Sequence, residues 1–173
     1  MQTVPPEVTR DIYPMPAFVT LAVPDLDRAV SWYVEGLDFV RLFTMPGPDG
    51  RPVLVHLRRW RYQDILLRLA APGEVPPASS APRTGWTPSV MALAEELDAL
   101  AARARAQGSG TVEGPLDTPW NTRDLVTIDP DGNRLVLTAR RPDGARDEAF
   151  SDRIRQLATE QSLDGGPAVT DPR

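Results

Sequence analysis

The sequence lacks cysteine and lysine altogether and has a single histidine, so its composition excludes several classes of chemistry. All nineteen positive charges among the 173 residues are arginines, and His56 is the one imidazole. Without lysine there is no Schiff base and no phosphate-loop lysine. Without cysteine there is no thiolate nucleophile, iron–sulfur cluster or disulfide. Because catalytic zinc commonly takes two or three imidazoles, a histidine-dominated zinc site is excluded, which leaves only carboxylate-rich metal sites.

The balance of charge is acidic, with a formal net charge of −5 and an isoelectric point near 4.9. Nucleic-acid binders rely on a basic face that contacts phosphates, so we expect no nucleic-acid partner. A cationic or neutral small ligand fits this charge better than an anionic one. No run approaches the ~18 apolar residues of a transmembrane helix, and the N-terminus lacks the order of a signal peptide. We expect a cytoplasmic protein without a membrane partner.

Clusters among the nineteen prolines divide the chain, because proline and glycine interrupt regular structure. They predict an extended N-terminal arm over residues 1–16 and a linker over residues 71–88. Two modules of similar length are left, over residues 17–70 and 89–140. We therefore expect a chain built from two comparable units.

The segment over residues 141–173 differs in composition from both modules. Phe150, Ile154 and Leu157 lie at helical spacing within residues 145–161, which predicts one apolar stripe on a charged helix. The end of the chain, GGPAVTDPR, is predicted to be disordered. The helix is expected to pack on the body of the protein or on a partner subunit.

Both modules follow the same order of elements, a strand, a helix and three further strands. Asp25 and the acidic pair before Leu97 start the two helices, and Gly36 and Gly108 end them. Two amphipathic strand–helix units can resemble each other by chance. The equal number of strands after each helix supports an internal repeat. The predicted strands are residues 17–23, 38–44, 52–58 and 64–70 in the first module and 89–94, about 110–114, 123–129 and 133–139 in the second. The fold class predicted is α+β, with two βαβββ modules and a C-terminal helix.

Two stretches carry a resemblance to a known family, FVTLAVPDLDRAVSWYVEGLDF and TPWNTRDLVTIDPDGNRLVL. They resemble the vicinal oxygen chelate superfamily, which includes glyoxalase, ring-cleaving dioxygenases, fosfomycin resistance enzymes and bleomycin resistance proteins. The resemblance covers about residues 16–140, and its most specific part is the string from Asp129 to Asn133. It implies paired βαβββ modules that form a cupped mixed sheet. Within the string, Asp131-Gly132 is predicted to form a hairpin turn.

Metal-dependent members of the family place His, Gln or Glu on the first and last strands of each module, facing the cup. The matching positions here are Phe18, Ser89 and Val136, with Leu66 or Leu67 as the fourth according to register. None of these is a usual ligand of a divalent metal. The resemblance therefore implies no metal, no cofactor and the metal-free branch that looks like the bleomycin resistance proteins. Those proteins are acidic dimers that sequester an antibiotic without altering it.

Several side chains are candidate ligand contacts within the cup or at its mouth. His56 is either a ligand contact or a histidine satisfied at a sheet edge, and Trp120 either stacks on a flat ligand or has a structural role. Arg68 is either a cup residue or a rim charge, and Asp124 pairs either with a cationic ligand or with Arg123. Trp32 is expected in the core. The predicted ligand-binding residues are Phe18, His56, Trp60, Tyr62, Leu67, Trp86, Ser89, Trp120 and Val136.

The function predicted from these features is metal-independent binding of a small molecule, such as an antibiotic or natural product, with resistance by sequestration. The ligand is expected to be cationic or aromatic, and the protein is expected to be a homodimer. The first alternative is an enzyme of the same fold, a lyase, isomerase or epimerase that relies on carboxylates or on His56. A second alternative is an interaction module whose C-terminal helix docks a partner. No catalytic residue is assigned.

Overall fold

The structure is a computed structural model that describes residues 17–74, 86–142 and 147–163. The predicted N-terminal arm, most of the predicted linker and the end of the chain predicted to be disordered lie outside the described residues. Both modules and the C-terminal helix are described.

The described ranges contain eight strands and three helices. The strands are β1 (Phe18–Val23), β2 (Val40–Pro46), β3 (Pro52–Arg58), β4 (Asp64–Leu69), β5 (Ser89–Met91), β6 (Thr111–Asp117), β7 (Thr122–Ile128) and β8 (Arg134–Arg140). The helices are α1 (Leu26–Ser31), which continues as a π-helical segment (Trp32–Gly36), α2 (Leu97–Ala106) and α3 (Glu148–Leu163). Within the described residues, no helix has the length and apolar character needed to cross a membrane.

The strands form two four-stranded mixed sheets with the same topology, β1-β4-β3-β2 and β5-β8-β7-β6. In each sheet the first strand pairs parallel with the last, and the remaining pairs are antiparallel. A parallel pair needs a crossover connection, which the helix after each first strand supplies. The prediction of an α+β fold with two βαβββ modules and a C-terminal helix is confirmed.

Two strands of the second module differ in length from the prediction. β5 ends at Met91 instead of residue 94, because Leu93 and Glu96 form a turn in which the Glu96 backbone N–H donates to the Leu93 carbonyl at 3.2 Å. β6 extends to Asp117, three residues beyond the predicted end, because it pairs with β7 as far as Arg123. The second sheet is therefore shorter at one edge and longer at the other than the pattern predicts.

The two acidic residues before the helices have different roles. Asp25 caps α1, since its carboxylate accepts a hydrogen bond from the Arg28 backbone N–H at 3.0 Å. Glu96 does not cap α2, and its Oε1 accepts from the Leu93 backbone N–H at 2.7 Å and from the Arg59 guanidinium. Because Arg59 belongs to the first module, Glu96 joins the two modules.

Close packing around the helices also joins the modules. A Cβ at Gly36 would lie 3.3 Å from the Cα of Ala104, so a side chain there would have to move the π-helical segment and α2 apart by a few tenths of an ångström. Trp32 is buried in the core, as predicted, and lies against Gly110 of the second module. The shared core therefore runs from one module into the other.

The turn between β7 and β8 is organised by one buried carboxylate. Asp129 Oδ1 accepts from the backbone N–H groups of Asp131 at 2.9 Å and Asn133 at 2.8 Å. Asp129 Oδ2 accepts from Asn133 Nδ2 at 2.8 Å and from the Tyr33 hydroxyl at 3.0 Å. Gly132 has a φ of 85°, as expected for the predicted Asp-Gly turn. Burial, reinforced by the adjacent Asp129 carboxylate, raises the pKa of Tyr33 well above its usual value.

Candidate functional site

Each sheet has one face covered by helix and one open face. α1 packs on β3 and β4, and α2 packs on β6 and β7. Side chains alternate between the faces, so Val19, Leu57 and Leu67 are buried while Phe18 and Phe43 are exposed. Leu67 was predicted as a ligand contact, and this prediction is wrong in position because its side chain is fully buried in the core.

The strand register places four side chains of different chemistry on the open face of the first sheet. Phe18 of β1 pairs with Asp64 of β4, and Asp64 also pairs with Arg58 of β3. His56 pairs with Leu66, one step further along the same face. Paired residues share a face, so Asp64 lies between Phe18 and Arg58 and diagonal to His56.

Asp64 holds two side chains of β3. Its Oδ1 accepts from His56 Nε2 at 2.6 Å and from Arg58 Nε at 2.9 Å. The side chains of Asp64 and Arg58 are fully buried, and that of His56 is 8% exposed. His56 therefore lies on the open face of the sheet. The apolar residues that alternate with it along β3 pack under the helix.

Sequence reasoning missed Asp64 and Arg58. The signal that points to them is alternation, since Arg58 follows His56 by two positions and Asp64 is the first residue of the next strand across the hairpin.

Large apolar side chains surround this polar cluster on the open face. Phe18 is 45% exposed, Phe43 is 46% exposed and Met45 is 41% exposed. A bulge between Arg41 and Phe43 shifts the β2 register so that Phe43 pairs with His56. An aromatic ring therefore lies next to the imidazole on the neighbouring strand.

The open face of the second sheet is apolar at its centre. Ser89 of β5 and Val136 of β8 are directly paired, so two of the predicted contacts lie side by side. Met91 of β5 and Leu116 of β6 are exposed on the two edge strands, in the neighbouring row of side chains that contains Thr138 and Asp124. These side chains can contact a ligand through apolar surface, but they offer few hydrogen-bonding groups.

Asp124 and Arg123 lie on opposite faces of β7, so they do not form the pair considered from the sequence. Asp124 pairs with Thr138 across the sheet and accepts a hydrogen bond from its Oγ1 at 2.6 Å. Arg123 points to the helical side, where its Nη2 lies 3.4 Å from the Asp98 carboxylate of α2. Asp124 is thus a polar group of the open face.

The register identifies the fourth position at which the family resemblance implies a metal ligand. Ser89 pairs with Val136, and the equivalent pair in the first module is Phe18 with Asp64. By this register the position equivalent to Val136 is Asp64, which precedes the Leu66 or Leu67 predicted from the sequence.

The donor set at these four positions does not fit the divalent metal of the family enzymes. Phe18 and Val136 have no donor atom, a serine hydroxyl is a poor ligand, and Asp64 already accepts from His56 and Arg58. In the part of the chain that the structure describes, no group of three or more His, Asp or Glu side chains could hold a metal ion.

Three of the predicted aromatic contacts belong to turns or loops and not to strands. Trp60 and Tyr62 occupy the turn between β3 and β4, where the Arg59 guanidinium lies 4.7 Å from the Trp60 ring centre and that of Arg61 lies 4.9 Å from the Tyr62 ring centre. Trp86 is strongly exposed just before β5. Whether these three rings contact a ligand stays a prediction.

Trp120 lies in the loop between β6 and β7, at a small cavity of about 280 Å³ beneath α3. Asn121 of the same loop fixes the start of α3, since its Oδ1 accepts from the Asp147 backbone N–H at 2.7 Å and its Nδ2 donates to Ser151 Oγ at 2.9 Å. The cavity is lined by Trp120, Asn121, Thr122, Arg140, Phe150, Ser151 and Ile154. Of the apolar stripe predicted for α3, Phe150 is partly buried at this loop, whereas Ile154 and Leu157 are both exposed.

Arg68 is a rim charge and not a central cup residue. It pairs with Leu54 at the end of the face, and its Nη1 donates to Glu74 Oε2 at 2.8 Å. This hydrogen bond, together with one from the Ala71 backbone, lowers the pKa of Glu74 to about 2. Both side chains are partly exposed, so the pair orders the exit of β4.

Comparison with known proteins identifies one matching family and several solved structures with a similar fold. A family model described as the Glyoxalase/Bleomycin resistance protein/Dioxygenase superfamily matches residues 16–137. An uncharacterized protein of Mycobacterium bovis is 32% identical over 119 residues, which are 68% of this chain and 78% of that protein.

Two of the similar structures come from actinomycete proteins. TnmS3, an antibiotic binding protein from Streptomyces sp. CB03234, is 28% identical with a TM-score of 0.50, over 71% of this chain and 93% of that one. TioX from Micromonospora sp. ML1 is 26% identical with a TM-score of 0.52, over 71% of this chain and 96% of that one.

Proposed function

Because the chain belongs to the glyoxalase/bleomycin resistance protein/dioxygenase superfamily, we propose that it binds an antibiotic or related natural product without a metal ion and gives resistance by sequestration. The observation that carries this proposal is an open sheet face on which large apolar side chains, Phe18, Phe43 and Met45, are exposed, while no group of side chains in the described residues could hold the metal of the family enzymes. Preformed apolar surfaces with a few fixed polar groups are typical of small-molecule sites. The similarity to the antibiotic binding protein TnmS3 supports the same class of ligand.

The ligand we propose is aromatic and neutral or cationic. Phe18 and Phe43 offer exposed ring faces on the first sheet, and flat aromatic ligands stack on such rings. On the second sheet, Asp124 and the exposed Glu113 face the open side and favour a positive group. The net charge of −5 also favours a cationic ligand over an anionic one.

We also propose that two chains form a homodimer that encloses the ligand. A single chain leaves large side chains exposed on the open faces of both sheets, among them Met45, Met91 and Leu116. Several exposed large apolar side chains on one open face are typical of an interface or a ligand groove. A twofold pair of chains would bury both faces and shield the ligand from water.

The proposal is tested by fluorescence titration of the protein with bleomycin, mitomycin C, an enediyne and a peptide intercalator. One class should quench the tryptophan fluorescence saturably, with or without a chelator. Phe43→Asp should weaken that binding at least about tenfold, since it places a charge in the apolar face. Leu157→Asp makes the same change at a similarly exposed position on α3 and serves as the matched control. Absence of saturable quenching by every class, or equal loss in both variants, would contradict the proposal.

A second candidate function is an enzyme that acts without the usual metal, and the His56–Asp64 contact favours it. A base oriented by a carboxylate is the arrangement used for general acid–base catalysis. The two functions are separated by recovering the bound molecule after long incubation and comparing it with the starting material by chromatography and NMR. Sequestration returns the molecule unchanged. A changed product that disappears in His56→Gln would identify the enzyme.

A further inference from the structure

The cluster of His56, Arg58 and Asp64 is unusual because it places buried charges within an apolar sheet face. An isolated charge is costly to bury, so a buried ion on a sheet face must be matched by close partners. Asp64 meets this requirement with hydrogen bonds of 2.6 and 2.9 Å, and its side chain and that of Arg58 are fully buried. The result is a rigid polar centre within an apolar face.

The two hydrogen bonds to Asp64 Oδ1 determine which imidazole nitrogen carries the proton. A carboxylate oxygen that receives a hydrogen bond from Arg58 Nε is an acceptor, so His56 Nε2 is the donor in the second bond. In a neutral imidazole only one nitrogen is protonated. In the neutral form of His56, Nδ1 is therefore left with a lone pair and acts as a hydrogen-bond acceptor.

The surroundings of His56 make this acceptor available to a ligand. The His56 side chain is 8% exposed to solvent, and its Nδ1 has no hydrogen-bond partner among the residues that the structure describes. Phe43 lies opposite on β2 and Leu66 opposite on β4. A flat molecule placed against Phe43 would meet an apolar surface with one acceptor at its edge.

We infer that His56 determines specificity at this site, by accepting through Nδ1 a hydrogen bond from a hydroxyl or N–H group on an aromatic ligand. The inference rests on the proposed binding function and names the group that the ligand must carry. Asp64 and Arg58 are positioning residues that hold the ring and its tautomer. A site with a buried acceptor discriminates against an analogue that lacks the donor, because the acceptor then loses its water without compensation.

The tautomer is tested directly in the wild-type protein, because His56 is the only histidine. A long-range ¹H–¹⁵N correlation spectrum at pH 8 should show one imidazole with Nε2 protonated and Nδ1 unprotonated. Asp64→Asn should broaden or shift both nitrogen resonances, while the matched change Asp124→Asn on the other sheet should leave them unaltered. A wild-type spectrum with Nδ1 protonated would overturn the inference, and this measurement requires no variant to fold.

Donor selectivity is tested with 2-naphthol and 2-methoxynaphthalene, which share a ring system and differ in the hydroxyl proton. In the wild type, 2-naphthol should bind about five to ten times more tightly, the range expected for one neutral hydrogen bond. It should also shift the Nδ1 resonance, which 2-methoxynaphthalene should not. His56→Phe should abolish the preference, and His56→Asn, which restores an acceptor near the position of Nδ1, should recover part of it.

The outcomes distinguish this inference from the proposed function. Equal affinity for the two naphthalenes would overturn the role of His56 and leave small-molecule binding intact. If only an antibiotic of the panel binds, its saturation should shift Nδ1, and binding without that shift would also overturn the inference. If neither the naphthalenes nor any antibiotic binds, the proposed function fails and the inference fails with it.

Discussion

Phe18 and Asp64 are directly paired across the parallel β1–β4 contact, in the same relation that Ser89 and Val136 have in the second module. The pairing shows that one carboxylate does stand among the four positions at which the family enzymes place metal ligands. That carboxylate is held by a histidine and an arginine of the next strand. Asp64 therefore occupies a position of a family metal ligand but instead holds the His56 side chain on the open face.

Metal removal should leave the protein unchanged. Dialysis against EDTA, or addition of Zn²⁺ or Mn²⁺, should shift the thermal unfolding midpoint by less than about 1 °C, where 1 kcal/mol corresponds to roughly 2–4 °C. Elemental analysis checks the same point. As a positive control, Ser89→His combined with Val136→Glu places two donors on paired positions and should bind Zn²⁺ weakly. Stoichiometric metal in the wild-type protein would be evidence against a metal-independent site.

Substitution of Gly110 by alanine should destabilise the fold more than the same change at Gly108. Both residues have positive φ, 71° and 66°, which costs an alanine about 1 kcal/mol. A Cβ at Gly110 would also clash with the Ile128 carbonyl and lie 2.8 Å from Trp32 Cη2, whereas nothing lies within 4 Å at Gly108. Urea unfolding should show an additional loss of about 2 kcal/mol for Gly110→Ala. Equal losses in the two variants would mean that the contact between the modules at Trp32 is looser than described.

Tyr33 should make the protein lose stability above pH 10. Its pKa is raised in the folded state, so its contribution is fully present below the unfolded value of about 10 and is lost as the pH rises towards the folded value. Tyr33→Phe should cost about 1 kcal/mol at pH 8, through the lost hydrogen bond to Asp129, and should show a smaller loss between pH 8 and pH 11 than the wild type. Denaturant unfolding at the two pH values measures both effects. Tyr62→Phe, at a half-exposed hairpin position, should behave like the wild type, and an identical pH response in Tyr33→Phe would refute the prediction.

Loss of the Asn121 side chain should release α3 from the body. Asn121 has a φ of 63°, so Asn121→Gly keeps the backbone conformation while it removes the hydrogen bonds to Asp147 and Ser151. Limited trypsin digestion should then cut at Arg153 and Arg155 several times faster than in the wild type. Gln156→Ala, which loses only a bond within α3 to Glu160, is the control. Unchanged cleavage in Asn121→Gly would show that apolar contacts under α3 hold it without the asparagine.

The sequence by itself determined the elements and their order. Alternation and helical spacing are local signals, and they located the strands of both modules, the start of α1 at Asp25 and the core position of Trp32. The turn at Asp131-Gly132 was also predictable, because the positive φ of Gly132 is a backbone conformation that favours glycine. The lack of metal-ligating side chains at Phe18, Ser89 and Val136 could likewise be read from the sequence once the family resemblance had located these positions.

Only the tertiary structure decided the register between distant strands, and with it the chemistry of the open face. β1 and β4 are joined through a helix and two strands, so no local turn sets their pairing, and a shift of one residue would move every side chain to the other face. The prediction therefore chose Leu66 or Leu67, of which Leu67 is in the core, and overlooked Asp64. For the same reason the partner of Glu96 was not foreseeable, since Arg59 reaches it from the other module. The contacts that place a buried charge cluster beside Phe43 depend on the pairing of β2, β3 and β4 and on the bulge that shifts the register of β2.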